Sequence, residues 1–336
     1  MTRLLAGLLF VCAASAQLPH IGDFDFYGNR KVTPAKILGT IHLESGDPLP
    51  GSRGDLEEQI SNIPGVTLAQ VQVVCCDGNR AALFIGIAER GEPTPLFHSP
   101  TSGTASLPPE ILKAYNEYLP VVAQAAAKGG ADESLVEGHV LMGDPVARGY
   151  QDRFIEFAKD HLAELRAELR GGPEPEERQA AAAIIGYAAD KKAVVDDLLF
   201  AVQDADEGVR ANALHALGAI SVAAQKQPAL GIRIAPAWIV QLLNSVELND
   251  RVEATKTLLI LTEGGNADVL GAVRERALNS LVEMARWPTL RYALPPFLLA
   301  GRLAGLSDDQ VRQSWEKGDR DAVIGKLVDN GKKRRR

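Results

Sequence analysis

Asp206-Glu207-Gly208-Val209-Arg210-Ala211-Asn212-Ala213-Leu214-His215-Ala216-Leu217-Gly218 is the stretch whose reading decides the fold. Asp204 to Arg210 turns the chain into a helix in which Val209, Ala213, Leu217 and Ile220 fall on one side. Asn249-Asp250-Arg251-Val252 echoes that turn ahead of Ala254, Leu258 and Leu261. Between and around the two turns the same apolar spacing recurs. It is seen at Ile184, Ile185 and Ala188, then at Val195, Leu198, Leu199 and Val202. It returns at Ile239, Leu242, Leu243 and Val246, and in a helix carrying Val273, Ala277, Leu281 and Met284. Each helix alone would leave its stripe in water, so stacking successive helices is the economical solution.

These turns resemble HEAT repeats, most clearly over residues 174–286, with an irregular period: 32 positions from Arg178 to Arg210 and 41 from Arg210 to Arg251. The resemblance implies an α-solenoid whose concave surface binds proteins or peptides. It also implies that the turn Asp and Arg side chains bond within and between repeats. Asp206, Arg210 and Arg251 are therefore read as structural.

Working outward, residues 173–331 are assigned to the repeats and 332–336 to a basic tail, Lys-Lys-Arg-Arg-Arg. After Trp287-Pro288, the segment Ala293 to Ala300 reads as an irregular helix pair, and Leu306-Ser307 to Gln310 offers a capping box for a helix through Trp315. Upstream, 107–172 reads as a helical cap, with helices at Ile111–Ala127, Glu133–Leu141 and Pro145–Leu169. Residues 91–106, rich in Pro, Gly, Ser and Thr, form a linker.

Residues 17–90 read differently, as a small α+β domain. A strand ends at Tyr27-Gly28-Asn29, and Thr33-Pro34 opens a helix. A second helix runs to Ile60, and a hairpin turns at Asp77-Gly78-Asn79. Val71, Val73 and Cys75 share one face of the first hairpin strand, and Leu83, Ile85 and Ile87 one face of the second. The order is β-α-α-β-β. Phe26 to Val32, the Gly46-Asp47-Pro48-Leu49 turn, and Ile60 through Pro64-Gly65-Val66 resemble the polypeptide-transport-associated (POTRA) domain. That resemblance implies a three-stranded sheet with two helices on one face and an edge strand over residues 68–76. A partner segment could add there through main-chain hydrogen bonds, which makes Val71, Gln72, Val73 and Val74 the candidate binding residues. The other use of such a domain is to dock onto its neighbour. POTRA-bearing relatives in the outer membrane continue into a β-barrel, and this sequence continues into helices. The expected fold class is multidomain: a small α+β domain, then an all-α HEAT-like solenoid.

Met1 to Ala16 carries one positive charge, a short apolar run and an Ala14-Ser15-Ala16 cleavage pattern, so residues 1–16 are expected to be a signal peptide and the protein to be exported, periplasmic or secreted. The run is too short to span a bilayer and no later segment is apolar enough, so no membrane span is expected. Of the three cysteines, Cys75 and Cys76 would remain; adjacent strand positions favour two unpaired thiols, and the alternative is an intermolecular or vicinal disulfide, which would make Cys75 and Cys76 candidate redox residues. The net charge of −7 argues against general nucleic-acid binding. No nucleophile elbow, phosphate loop or metal-binding spacing occurs, and the six histidines are scattered. Asp204-x-Asp206 begins like a calcium loop, but Val209 and His215 stand where Gly and Glu are needed. No cofactor or metal is expected. The function expected is a non-catalytic scaffold for protein or peptide partners within an envelope complex. The alternatives are a periplasmic factor in outer-membrane protein handling and a HEAT-like enzyme such as a lyase.

Overall fold

The computed structural model describes residues 19–99, 102–130, 132–135 and 137–334, with backbone alone at 76, 77 and 328–334. The expected signal peptide and the last two residues of the basic tail lie outside these.

Strand β1 (His20–Tyr27) leads to helices α1 (Pro34–Ile41) and α2 (Arg53–Ser61), then to strands β2 (Val66–Asp77) and β3 (Arg80–Glu89). Thr33 caps α1 by accepting the Lys36 N–H, and Pro34 occupies the first helical position, where no N–H is needed. The sheet order is β1-β3-β2, with β3 parallel to β1 and antiparallel to β2. Strand alternation gives the sheet two apolar faces. Val71, Val73, Leu83, Ile85 and Ile87 pack on Ile37, Leu56 and Ile60 of the two helices. Tyr27, Val74, Ala82 and Phe84 face the other way and belong to the core of the helical region. Gly28 leaves β1 with φ +77°, so close to the Ile87 carbonyl that a Cβ would overlap it.

The helical region contains α3 (Pro109–Ala127), a two-stranded ribbon β4 (Glu133–Ser134) and β5 (Leu141–Met142), and α4 (Pro145–Asp160). The paired helices then follow. They are α5 (Leu162–Gly171) with α6 (Pro175–Ile185), α7 (Val195–Ala201) with α8 (Glu207–Lys226), and α9 (Ala237–Leu242) with α10 (Leu248–Leu261). Next come α11 (Ala267–Arg276) and α12 (Leu278–Ala285) with α13 (Leu290–Leu303), and α14 (Asp308–Glu316) with α15 (Arg320–Arg334). The second helices α6, α8, α10 and α13 stack in a continuous row, and α5 packs on α7 behind them. This is a helical-repeat solenoid.

Several sequence expectations shift. The segment 133–141 is not a helix but the β4–β5 ribbon: Gly138 adopts φ +77° and sits so close to Ala223 that a Cβ would come within 2.9 Å of it. The helix expected over 145–169 breaks at His161 (φ −124°, ψ 28°), although its stripe of Phe154, Ala158, Leu165 and Leu169 is buried. The break frees α5 to become the first member of the first pair, so pairing begins at residue 162, ahead of the 173 boundary. The helix carrying Val273 to Met284 is likewise interrupted at Ala277 (φ −140°). Conversely, 293–300 is not an irregular pair. α13 runs straight through Pro295 and Pro296, and burial of Pro296, Phe297, Leu299 and Ala300 offsets the two missing N–H donors. The Ser307 capping box is formed, Ser307 and Gln310 exchanging side-chain-to-backbone bonds.

The linker has no helix or strand over 91–99 and 102–106, yet it is laid against the solenoid. The Phe97 ring covers the Arg210 guanidinium at 3.9 Å, and the His98 N–H donates to the Gln203 carbonyl at 2.8 Å. The sheet docks beside it, across the turns that precede α10 and α13. Phe84 and Tyr27 meet Trp287 edge-on at 5.1 and 5.7 Å, and the Trp287 indole N–H donates to the Phe26 carbonyl at 3.1 Å. A Cβ on Gly86 would strike the Tyr27 ring and come within 2.6 Å of the Val246 carbonyl, so this closeness requires glycine. Glu283, at the end of α12, accepts the Gly28 N–H at 3.0 Å, Arg30 Nη1 at 3.0 Å and Arg251 Nη1 at 3.2 Å. Replacing Glu283 by Ala strands the fully buried Arg251 charge and releases Gly28. Urea unfolding should register a loss of about 3–5 kcal/mol, and a loss below about 1 kcal/mol would mean that the sheet docks independently of this carboxylate.

Candidate functional site

The repeat turns carry a ladder of arginines. Arg178 pairs with Asp204, Arg210 with Asp250, Arg251 with Glu283 and Arg302 with Asp308. Arg178, Arg210 and Arg251 also donate to carbonyls of the turn just before their own helix. Each guanidinium therefore closes its own turn and ties it to the next pair. Asp206 caps α8 by accepting the Val209 N–H at 3.0 Å, and it also accepts from Gln179 Nε2 at 2.9 Å. Arg210 and Arg251 are each about 1% exposed, under the rings of Phe97 and Tyr27. Neither is offered to a partner.

The docked sheet leaves a two-lobed cleft along β2. The larger lobe, about 650 Å³, opens between β2, α2 and the turns before α8 and α10, with Arg53, Glu57, Gln70, Gln72, Glu207 and Glu247 on its walls. The smaller, about 330 Å³, lies between Gln72, Leu248, Lys256 and the start of α13. Gln72 lines both lobes. Two groups of sequence candidates therefore meet in one place: Val71 and Gln72 line the larger lobe together with Asp206 and Arg210. Val73 is turned toward α1 and α2, and Val74 packs into the solenoid core. Arg251 lies behind the cleft, beneath Tyr27.

β2 is an edge strand, as its place in the sheet order requires. Its outer edge is partly engaged within the chain. The Val71 N–H donates to Glu57 Oε1 at 2.8 Å, and the Cys75 carbonyl accepts from Arg291 Nη2 at 3.0 Å. Alternation along an antiparallel ladder leaves the N–H and C=O of Val73 between those two points. Cys75 is disulfide-bonded, which corrects the expectation of two unpaired thiols. That expectation rested on regular alternation, and the register shifts between Val74 and Asp77, so alternation fails there.

Sequence reasoning missed the groups that give the cleft its chemistry. Burial, together with nearby Glu207 and Asp250, pushes the Glu247 carboxyl up to about 7. Glu57 looks like any surface acid of α2, and only tertiary packing brings it to the edge of β2. Arg291, Tyr292, Pro295 and Pro296 line the smaller lobe. Prolines at 295 and 296 bring no N–H, so the carbonyls of Arg291 and Tyr292 lack their helical donors. That adjacent proline pair was the one legible signal. Among the described residues, no group of three or more His, Cys, Asp or Glu side chains is placed to hold a metal ion. No described helix is long and apolar enough to cross a membrane.

A family model described as HEAT repeats matches residues 162–243. The match begins at α5 and ends just beyond α9. A comparison with curated proteins finds no match. Among solved structures, the designed armadillo repeat protein YIII(Dq)4CqI is similar over 55% of this chain and 95% of its own, with 16% identity and a TM-score of 0.35.

The Glu247 carboxyl sits above its ordinary value of 4.5, so the folded state holds its proton more tightly than the unfolded chain does. Stability therefore falls as pH rises from about 4.5 through about 7. Thermal melts between pH 5 and 7.5 should show a smaller decline in Glu247→Gln than in the parent protein. Parallel declines in the two would remove Glu247 as their source.

Proposed function

We propose that the protein is an exported, non-catalytic scaffold that holds an extended segment of a partner protein in the cleft along β2. The observation that carries this reading is the position of Gln72, whose side chain borders both lobes. A chain lying beside β2 would pass from a lobe walled by Arg53, Glu57, Glu207 and Glu247 to one lined by Arg291, Tyr292, Pro295 and Pro296. The first lobe favours Lys or Arg side chains in the partner, and the second favours a backbone or side chain with N–H groups to donate. The repeat solenoid supports protein binding in general terms, since stacked repeats present extended surfaces. Export rests on the signal-like sequence of residues 1–16.

A second reading, a periplasmic factor in outer-membrane protein handling, draws on the POTRA-like order β-α-α-β-β and on β2 at the sheet edge. Strand addition there would compete with Glu57 for the Val71 N–H and with Arg291 for the Cys75 carbonyl. The cleft reading asks less of the edge.

The test places a photo-crosslinking amino acid at position 72 of the full chain in its own host, with position 159 on exposed α4 as control. Crosslinks to a partner are expected from 72 and not from 159. They should fall severalfold when Glu207 and Glu247 are both changed to Lys. If Val73→Pro, folded by circular dichroism, abolishes them as well, the strand-addition reading gains. Equal crosslinking from both positions would sink the cleft reading. Export predicts that the protein recovered from the envelope or medium begins at Gln17; a chain still beginning at Met1 in the cytoplasm would refute it.

A further inference from the structure

The far end of the linker is laid over the turn between α5 and α6. Gly103 lies so close to the Gly171 carbonyl that a Cβ would overlap it. Four residues on, the Leu107 N–H donates to Glu177 Oε2 at 2.6 Å, and the Leu107 side chain is buried in the solenoid core. Residues 103–107 thus form a strap held at both ends.

Beside those two points sits an acid whose burial nothing local repays. Glu168 of α5 is fully buried, and neither of its carboxylate oxygens has a hydrogen-bond partner. The carboxyl fills the space that a side chain at 172 would take, since a Cβ on Gly172 would overlap it. The cation that acts on it, Arg178, is already spent on Asp204 and on the Gly172 and Pro173 carbonyls. The other charges acting on it from α6 are acids, Glu177 and Glu174. From α7, Asp197 is held by Arg166 and Arg170. The buried face of α4 brings no titratable group, and neither does the strap. A carboxylate in such a place is costly, and the protein avoids the cost by keeping it protonated. Burial, and after it the Glu177 charge, pushes the Glu168 carboxyl up to about 7.

We propose that Glu168 is a proton-operated latch on the linker: protonated, it lets residues 103–107 lie closed, and ionised, it lifts them. An ionised carboxyl must reach water, and the cover that gives way is the one without helix or strand, which is the strap. Repulsion acts in the same sense, because Glu177, the acid that acts most strongly on Glu168, is also the group that holds Leu107. With the strap open, the carboxyl returns to its ordinary value of 4.5. The closed state therefore binds the proton more tightly. Its advantage is full below about 4.5 and is lost as pH rises through about 7. Opening frees the tether between the small domain and α3. The latch does not depend on what occupies the cleft, so it and the scaffold reading can fail separately.

Hydrogen exchange of the Leu107 amide, followed by NMR on the full chain from pH 5 to 8 and corrected for the intrinsic rate, tests the latch without any partner. Protection should fall about tenfold per pH unit between 5 and 7 and then level off. Leu107 should stay far less protected than Leu214 of α8 throughout, which marks a local opening. In Glu168→Gln the fall should vanish, and in Glu247→Gln it should persist. Gly172→Ala, whose Cβ displaces the carboxyl, should leave Leu107 poorly protected already at pH 5. Should Glu168→Gln fail to fold, Glu177→Gln carries the test: Gln can still accept the Leu107 N–H, and with the charge gone the levelling-off should move to lower pH. Leu107 protection indifferent to pH in the parent protein, an equal fall in Glu168→Gln, or exchange of Leu107 only together with Leu214 would each overturn the proposal.

Discussion

The Glu283 carboxylate is the point on which the two parts of the molecule depend. It completes the arginine ladder by pairing with Arg251, and with the same oxygens it receives Gly28 and Arg30 from the small domain. Arg251 is buried on one side by the Tyr27 ring, so its charge is desolvated by the very domain that Glu283 anchors. Burial lowers the Arg251 pKa, while Glu283 holds it up against that pressure. A buried guanidinium without its acid would cost several kcal/mol. Docking and repeat stacking are thus one electrostatic arrangement, and neither surface is complete without the other.

That arrangement explains why both faces of a three-stranded sheet are apolar. A sheet with helices on one face alone would show polar residues at Tyr27, Val74, Ala82 and Phe84. These positions instead join the solenoid core, and Asp25, the acid on that face, is answered by the Thr289 hydroxyl at 2.5 Å. Desolvation still pushes the Asp25 carboxyl up to about 6. The linker follows the same logic. It carries few apolar residues, but Phe97 is placed to cover Arg210 as Tyr27 covers Arg251. Domain and linker together shield the ladder from water, which would otherwise weaken each pair by screening.

Much of this was legible in particular residues. Thr33-Pro34, the Asp77-Gly78-Asn79 turn and the alternation of Val71, Val73, Leu83, Ile85 and Ile87 specify the small domain's strands and the face its helices cover. Val209, Ala213 and Leu217 specify a stacked helix. What was not legible depends on contacts between distant segments. Glu283 and Glu57 are ordinary helix acids in sequence. The His161 and Ala277 breaks carry no proline or glycine; they are dictated by where the next helix must pack. His139 and Lys191 lie 52 positions apart, and nothing local announces that their side chains meet. Helix α13 errs in the opposite sense, since Pro295 and Pro296 argue locally against a helix that the surrounding core keeps.

The edge of β2 sharpens the choice between the uses of the small domain. An open edge strand is a hazard, and proteins blunt such edges with charged side chains or by covering them. Here Glu57 takes the Val71 N–H from one side and Arg291 takes the Cys75 carbonyl from the other, and the two side chains come from different domains. An edge kept solely for strand addition would have no need of either. An edge kept solely for protection would have no need of a cleft opening beside Gln70, Val71 and Gln72. The combination fits a surface on which the backbone is guarded and the side chains do the reading, with Gln72 reaching both lobes while Val71 and Val73 face inward. In the proposed cleft, specificity would then come from the acids and the start of α13 around it, with β2 as its floor.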